Sequence, residues 1–385
     1  MSPLITVIIP TYNRANYLKQ AIDSLLIQQG QKLQIIVVDD GSTDHTSEIV
    51  KNFDVPNVLY KYQHNQGGGA ARNNGLKYAA GKYIVFLDSD DYFLPDRFIK
   101  QRTLLDNNPH IDVVGSGHLF VNQHNKILNK IHPWESFPQL NLETILQSCP
   151  FTLPSAMIRK EVLEAVGGFD ESLKIHQDTE LWTRIALEGY KFAWTKEIKF
   201  AYRQHDANKG LTNGVTSRAA NLYILEKAFN HKKMPPTLYQ QKNKYLAWGH
   251  IKSAWREYSA EQIEEAKDDI SKAVLLDTEL LQDVDSLLDL ILKWAGEPRS
   301  GGRIKYTQTV LKNLPSHLPV TRSHKRKALG RQAIKLLFES YPTQKSEVQQ
   351  ALKLLAKNDP TWFTNKGVLS ITYKTLMPPI FHPSP

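Results

Sequence analysis

"YIVFLDSDDYF", residues 83–93, decides how the rest of the chain is read. Five residues suited to a buried strand, Tyr83 to Leu87, are followed at once by Asp88, Asp90 and Asp91. A run that is apolar on both faces belongs inside a parallel sheet flanked by helices. Three carboxylates this close repel, so the mouth of that strand needs positive charge among them. Carboxylates one residue apart can turn onto a hard divalent cation, Mg2+ or Mn2+, shared with substrate phosphates. An acidic turn alone is common, so the neighbouring segments carry the decision.

Working outward, strand and helix patterns alternate over the first 120 residues. "ITVIIP" (5–10) reads as a strand stopped by proline, and Tyr17 to Gln29 carries Leu18, Ile22, Leu25 and Leu26 at helical spacing. "QIIVVDD" (34–40) is a second strand, followed by a short helix with Ser42 or Asp44 as N-cap. "NVLYKY" (57–62) is a third. "GGGAARNNGLKYAAG" (67–81) is a glycine loop opening a helix, and "KYIVFLD" (82–88) is the fourth strand. The alternation predicts an α/β fold whose ligands sit beyond the carboxyl ends of the strands. Four features fall at that edge: Pro10 to Arg14, Asp39 with Asp40, the loop from Gly67 to Arg72, and Asp88 to Asp91. Arg72, in the first turn of its helix, adds its charge to a helix N-terminus suited to phosphate.

Further on, "DVVGSGHLFV" (112–121) and "KFAWTKEIKFAYRQH" (191–205) read as strands. "DTELWTRIALEGY" (178–190) reads as a helix with Leu181, Ile185 and the Ala186/Leu187 pair facing inward. Trp182 and Trp194 could offer a sugar-stacking surface, although tryptophans so placed are more often core. From about Thr216 the chain turns helical. Ile263, Ala266, Ile270, Ala273 and Val274 share one face, a spacing that resembles one tetratricopeptide-type helix pair. The expected division is 1–215 for the α/β domain, 216–298 for a weakly tetratricopeptide-like helical region, and 299–385 for a basic helical region with a loose tail, 377–385.

Composition narrows the class. With 41% hydrophobic and 23% charged residues, the 385-residue chain can bury a real core. Its one cysteine, Cys149, forms no internal disulfide, which fits a reducing compartment. No run approaches the ~18 apolar residues of a membrane span, and "MSPLITVIIPTYNR" is expected to carry no leader. The expected location is cytoplasmic. The net charge is +9, and residues 299–338 hold ten Lys and Arg and no Asp or Glu. That block reads first as a solvated helix face and second as a peripheral contact with an anionic membrane face, at the inner side of the membrane. It lacks the interleaved aromatics and motifs of a nucleic-acid binder, so no nucleic-acid partner is expected.

The ordered set Pro-Thr-Tyr-Asn-Arg, Val-Val-Asp-Asp-Gly-Ser-Thr-Asp, glycine loop with Ala-Arg-Asn, and Phe-Leu-Asp-Ser-Asp-Asp resembles the family 2 glycosyltransferases with the GT-A fold, over about residues 3–210. The resemblance implies a GT-A nucleotide-diphospho-sugar transferase fold, a Rossmann-like mixed sheet, followed here by an all-α C-terminal region. It places Pro10, Tyr12 and Arg14 under the donor nucleotide. Asp39, with Asp40 beside it, becomes the acceptor for the ring N–H of uracil or thymine. Arg72 goes to the phosphates, Asp88 with Ser89 to the ribose side, and Asp90 to the metal. "HQDTELW" resembles the family's acid-bearing helix start, making Asp178 the general base. Glu180 is a second candidate, and Gln177 stands where the family often has Glu. "YRQHDANKG" resembles a late segment that returns to the site, so His205 either completes the metal shell or touches the diphosphate.

The implied function is an inverting, metal-dependent glycosyltransferase. It would move a sugar from a UDP- or dTDP-type donor to a glycan or lipid-linked acceptor, with Mn2+ or Mg2+, in cell-surface polysaccharide or glycolipid synthesis. The alternative is a catalytically inactive GT-A-like scaffold. A sugar-1-phosphate nucleotidyltransferase would need a glycine-rich basic loop after the first strand, and "PTYNRANYL" is not one.

Overall fold

The strand that begins at Tyr83 lies in the interior of a nine-stranded mixed sheet. The strands are β1 (Ile5–Thr11), β2 (Leu33–Asp39), β3 (Val58–Tyr62), β4 (Tyr83–Phe86), β5 (Tyr92–Phe93), β6 (Val113–Asn122), β7 (Ile127–Ile131), β8 (Met157–Arg159) and β9 (Phe192–Gln204). Their order is β3-β2-β1-β4-β8-β6-β9-β5, with β7 paired to β6. The first four strands are parallel, β8 is antiparallel to β4 and β6, and β6 runs parallel to β9. This computed structural model describes residues 4–28, 30–53, 55–205, 214–297 and 300–376. The tail 377–385 and the residues just after His205 lie outside the described residues.

Period-2 alternation sorts the strands' side chains onto two faces. Ile5, Val7, Ile9, Ile35, Val37 and Val85 pack with Leu18, Ile22 and Leu25 of helix α1 (Ala15–Leu26) and Val50 of α2 (Thr46–Lys51). Ile8, Ile36, Val38, Ile84 and Phe86 face the other way, toward Ala71 of α3 (Gly68–Leu76). Strand order reverses beside β1, since β2 and β3 lie on one side and β4 on the other. That reversal opens a crevice at the carboxyl ends of β1 and β4.

Two local devices fix this arrangement. Leu87 N donates to Ile8 O, so even residues of β1 present their backbone toward β4. Pro10 falls where β4 has already ended, and its missing N–H removes no ladder bond. Gly75 lets α3 close onto the sheet, because a Cβ there would stand 2.5 Å from Ile8 Cγ2.

Further helices along the chain are α4 (Ile99–Asn107), α5 (Pro133–Ser136), α6 (Leu142–Ser148), α7 (Lys160–Val166), α8 (Gln177–Leu187) and α9 (Gly214–Phe229). Leu181, Trp182, Ile185 and Leu187 of α8 are buried, and Trp182 is fully core. Trp194 stacks on Phe151 at 4.6 Å and donates Nε1–H to Phe137 O, so packing accounts for it as well.

The chain divides into two compact units, Met1–Thr212 with Ala219–Gln240, and Asn213–Arg218 with Gln241–Pro385. The second is helical. Lys242–Ser259 and Ile263–Leu276 pair through a core that includes Ala247, Ile251, Ala266, Ile270 and Ala273. Inside this unit Asp269 Oδ1 accepts from Arg218 at 2.8 Å and lies 2.7 Å from His250 Nδ1. Glu257, fully buried, completes the cluster 3.8 Å from Arg218. Burial and the neighbouring Asp269 carboxylate push Glu257 up to about 8.

Residues 299–338 hold ten basic residues, and among the described ones three are ion-paired to the unit's own acids. These are Arg303 with Glu339, Lys327 with Asp285, and Arg331 with Asp285 and Asp289. No helix among the described residues is long and apolar enough to cross a membrane.

Candidate active site

β4 ends at Phe86, so Asp88, Asp90 and Asp91 occupy the loop beyond it, and each acid meets a different partner. Asp88 Oδ1 accepts from Arg72 Nη2 at 2.6 Å. Asp90 Oδ2 lies 3.0 Å from His205 Nε2 and 3.6 Å from Arg14 Nε. Asp91 is buried, with Oδ1 accepting from Arg203 N at 2.8 Å and Oδ2 holding no hydrogen bond among the described residues. Burial first, then the charges of Asp90 and Asp88, hold Asp91 well above the usual carboxylate range. The chain therefore supplies much of the positive charge that this acidic loop demands.

Arg203 organises the loop from below. Its Nε donates to Asp90 O at 2.8 Å, and its Nη atoms reach Asn125 Oδ1 and Gln20 Oε1, both at 2.7 Å. The guanidinium lies over the rings of Tyr17 and Tyr92. Tyr17 also stacks on His205, centroids 5.1 Å apart, which fixes the imidazole against Asp90. Sequence reading singled out His205 and passed over Arg203 and Tyr17. The signal was present, since residues 203 and 205 share a strand face at period 2.

At the second strand end the two aspartates differ. Asp39 accepts from Ser42 N at 2.8 Å and from Tyr60 Oη at 2.7 Å, at 1% exposure. Asp40 lies one residue past β2 and spends both oxygens on the glycine loop. It accepts from Gln63 Nε2, Gln66 N and Gly67 N, each at 2.8 Å. Gly67, at φ 95°, is the N-cap of α3, a backbone conformation that favours glycine. Asp40 thus anchors the turn that presents Arg72. Tyr12 is 47% exposed at the end of β1, Pro10 is half-buried and Ser89 is buried. The N-cap position expected at Ser42 or Asp44 falls on His45, yet Asp44 Oδ1 accepts from Thr46 N at the start of α2 while its Oδ2 accepts from Ala15 N at the start of α1.

α8 begins at Gln177 after His176, so Asp178 is the second helical residue and not the cap. Its Oδ1 accepts from Thr179 N at 2.8 Å. Burial raises the Asp178 carboxyl above its ordinary range, and the charge of Asp88 acts in the same direction against that of Arg72. Glu180, the second candidate base, is 1% exposed and held by two cations. Arg184 Nη2 reaches it at 2.6 Å and Lys227 Nζ, on α9, at 2.7 Å. Both Glu180 oxygens are thus taken by Arg184 and Lys227, whereas Asp178 is bonded only at Oδ1 and is left as the candidate.

Among the described residues no group of three or more His, Cys, Asp and Glu side chains is arranged to hold a metal. Asp90 and His205 are the pair that fits one. A carboxylate oxygen and an imidazole nitrogen 3.0 Å apart, at a crevice edge, suit an ion whose other ligands come from donor phosphates.

Comparison with known proteins places this geometry. The family model described as glycosyl transferase family 2 matches residues 6–167. An uncharacterised glycosyltransferase of Methanocaldococcus jannaschii is 31% identical over 237 residues, covering 60% of this chain and 81% of that protein. The chain belongs to glycosyl transferase family 2. Another relative, an uncharacterised glycosyltransferase of Rickettsia typhi, is 34% identical over 54% of this chain, which spans 65% of that protein's length. Among solved structures, S. aureus TarS 1-349 in complex with UDP-GlcNAc superposes with TM-score 0.55 at 19% identity, over 87% of this chain and 91% of that one. The mannosyltransferase PcManGT from Pyrobaculum calidifontis, in complex with GDP-Man and Mn2+, gives 0.52 at 19% identity over 88% of each chain. At such identities the likeness speaks for the fold, which is GT-A with a helical C-terminal region.

Proposed function

We propose that this chain is an inverting glycosyltransferase that moves a sugar from a nucleoside-diphosphate donor, of UDP or dTDP type, to an acceptor hydroxyl. One observation carries the reading. The Asp90–His205 pair and the Arg72–Asp88 ion pair come together through the loop after β4, at the crevice edge. Pro10, Tyr12 and Arg14 would line the nucleotide, with Asp39 toward the base and Asp88 and Ser89 toward the ribose. Asp40 would act through the glycine loop, and Arg72 would meet the diphosphate.

Asp90 and His205 would hold a divalent cation, Mn2+ or Mg2+, which would neutralise charge on the departing diphosphate. That PcManGT was solved with Mn2+ supports this choice. Asp178 accepts the proton of the attacking hydroxyl. As the new O–C bond forms at the anomeric carbon, the bond to the diphosphate oxygen breaks on the opposite face, inverting configuration. Burial suits Asp178 to this, because a raised carboxyl is a stronger base when ionised.

The acceptor is a glycan or a lipid-linked saccharide, in cell-surface polysaccharide or glycolipid synthesis. The helical unit helps to select or locate it, from a cytoplasmic position with its basic segment against the inner face of the membrane. Liposome flotation tests that last step, since equal binding to neutral and anionic vesicles would remove it.

The donor reading is tested by thermal-shift measurements with UDP, dTDP, GDP and their sugars, with and without Mn2+ or Mg2+, on wild type and Asp90→Ala. A cation-dependent upward shift with a uracil or thymine nucleotide, lost in Asp90→Ala, is expected. A folded protein that responds to no nucleotide would overturn the reading in favour of an inactive scaffold.

A further inference from the structure

Arg72 is tied at both ends of its guanidinium, but only one tie is charged. Nη2 donates to the Asp88 carboxylate at 2.6 Å, and Nη1 donates to the amide oxygen of Gln177 at 3.0 Å. Its Nε is buried and makes no hydrogen bond among the described residues, and 13% of the side chain is exposed. The amide cannot turn over freely. Gln177 Nε2 donates to Leu173 O at 2.5 Å, which leaves Oε1 as the end facing Arg72. The glycine loop closes the other side, since a Cβ on Gly69 would stand 2.9 Å from that Nε2. The first turn of α3, the ion pair and the start of α8 therefore meet on this one neutral side chain.

A glutamate at 177 would have nearly the same shape and a different effect. It would bring a second carboxylate to Arg72, press an oxygen against Leu173 O, and stand directly beside Asp178. A glutamine orients the guanidinium and adds no further negative charge to those of Asp88 and Asp178.

We infer that Gln177 is a positioning residue that sets the charge of the donor site. Its neutral amide aims Arg72 at the crevice without cancelling it, so that the guanidinium remains available to a nucleoside diphosphate. This rests on the donor reading above and adds which residue controls anion affinity there.

The experiment measures UDP binding by calorimetry in the presence of Mn2+, at 50 mM and 500 mM salt, for wild type, Q177E and Q177A. An added negative charge acts through screened electrostatics, so its cost has to shrink in salt, whereas loosened packing does not. Q177E is expected to weaken UDP at least about tenfold at low salt, with the gap narrowing at high salt. Q177A is expected to lose less than Q177E, with a flatter salt dependence than wild type, because Arg72 is no longer aimed at the diphosphate.

A Q177E affinity within twofold of wild type, or a loss that salt does not reduce, would overturn the inference while leaving the donor site intact. Failure of wild type itself to bind any nucleoside diphosphate would remove the donor reading and this inference with it. Should Q177E not fold, Q177A decides, because an affinity and a salt dependence equal to wild type in that variant would overturn the inference.

Discussion

His205 Nε2 stands 3.0 Å from Asp90 Oδ2 across 115 residues of sequence, and the ring is held there by stacking on Tyr17. The pair joins the end of β9 to the loop after β4. Each residue alone is an ordinary polar side chain; together they form one close pair at the crevice edge, the pair proposed above to hold the cation.

His205→Ala is therefore expected to weaken cation-dependent UDP binding by at least roughly tenfold, with little change in binding measured in chelator. Calorimetric titration with and without Mn2+ reads this directly. An equal loss in both conditions would assign His205 to the nucleotide and not to the metal.

Asp178→Asn keeps shape and removes the base. Turnover is expected to fall by about 10²–10⁴-fold while donor affinity is retained. Only the ionised carboxylate accepts a proton, so wild-type kcat declines as pH falls through the pKa of Asp178. Because burial raises that pKa, the decline is expected above the ordinary value of about 3.9. A wild-type limb at or below that value would contradict the assignment.

Arg203→Met tests the support beneath the acidic loop. It strips donors from Asp90 O, Asn125 and Gln20 in a side chain that is 1% exposed. The part-buried Asp90 O and Gln20 lose a partner while the exposed Asn125 can turn to water, so the unfolding free energy is expected to drop by about 1–3 kcal/mol. Urea denaturation measures it, and a change below about 1 kcal/mol would mean that water replaces the guanidinium.

Glu257 makes the helical unit sensitive to alkali. Folded, it keeps its proton to about 8; unfolded, it releases it near 4.3. Between those values the folded state binds more protons, so stability is full at acid pH and is lost as pH rises toward 8. The slope reaches at most about 1.4 kcal/mol per pH unit. Glu257→Gln is expected to flatten it, and unfolding followed from pH 5 to 9 would show an unchanged slope if the buried acid were not responsible.

Much of this molecule was legible early because its cues are local. β-branched runs broken by turn residues marked β1 to β4, and each of the acids Asp39, Asp88 and Asp90 stands at or just beyond the carboxyl end of such a run. Strand ends were misread by a residue or two, since pairing partners, not propensity, terminate a ladder; Asp40 and Asp88 consequently lie in loops. Alternation along β9 would have exposed Arg203 as a companion of His205, had it been followed to the strand's last turn of the pleat.

The sequence by itself determined the alternating α/β pattern, the carboxyl edge of its strands and the set of residues gathered there. Those follow from periodicity and chain direction, which need no knowledge of distant partners. Tertiary structure alone decided what each acid does. It gave Asp88 to Arg72, Asp90 to His205, Asp91 to the interior, Asp40 to the glycine loop, and Glu180 to Arg184 and Lys227. A carboxylate's pKa and its available lone pairs depend on burial and on charges within a few ångströms. Most of those neighbours are tens of residues away in the chain and are brought together only by packing.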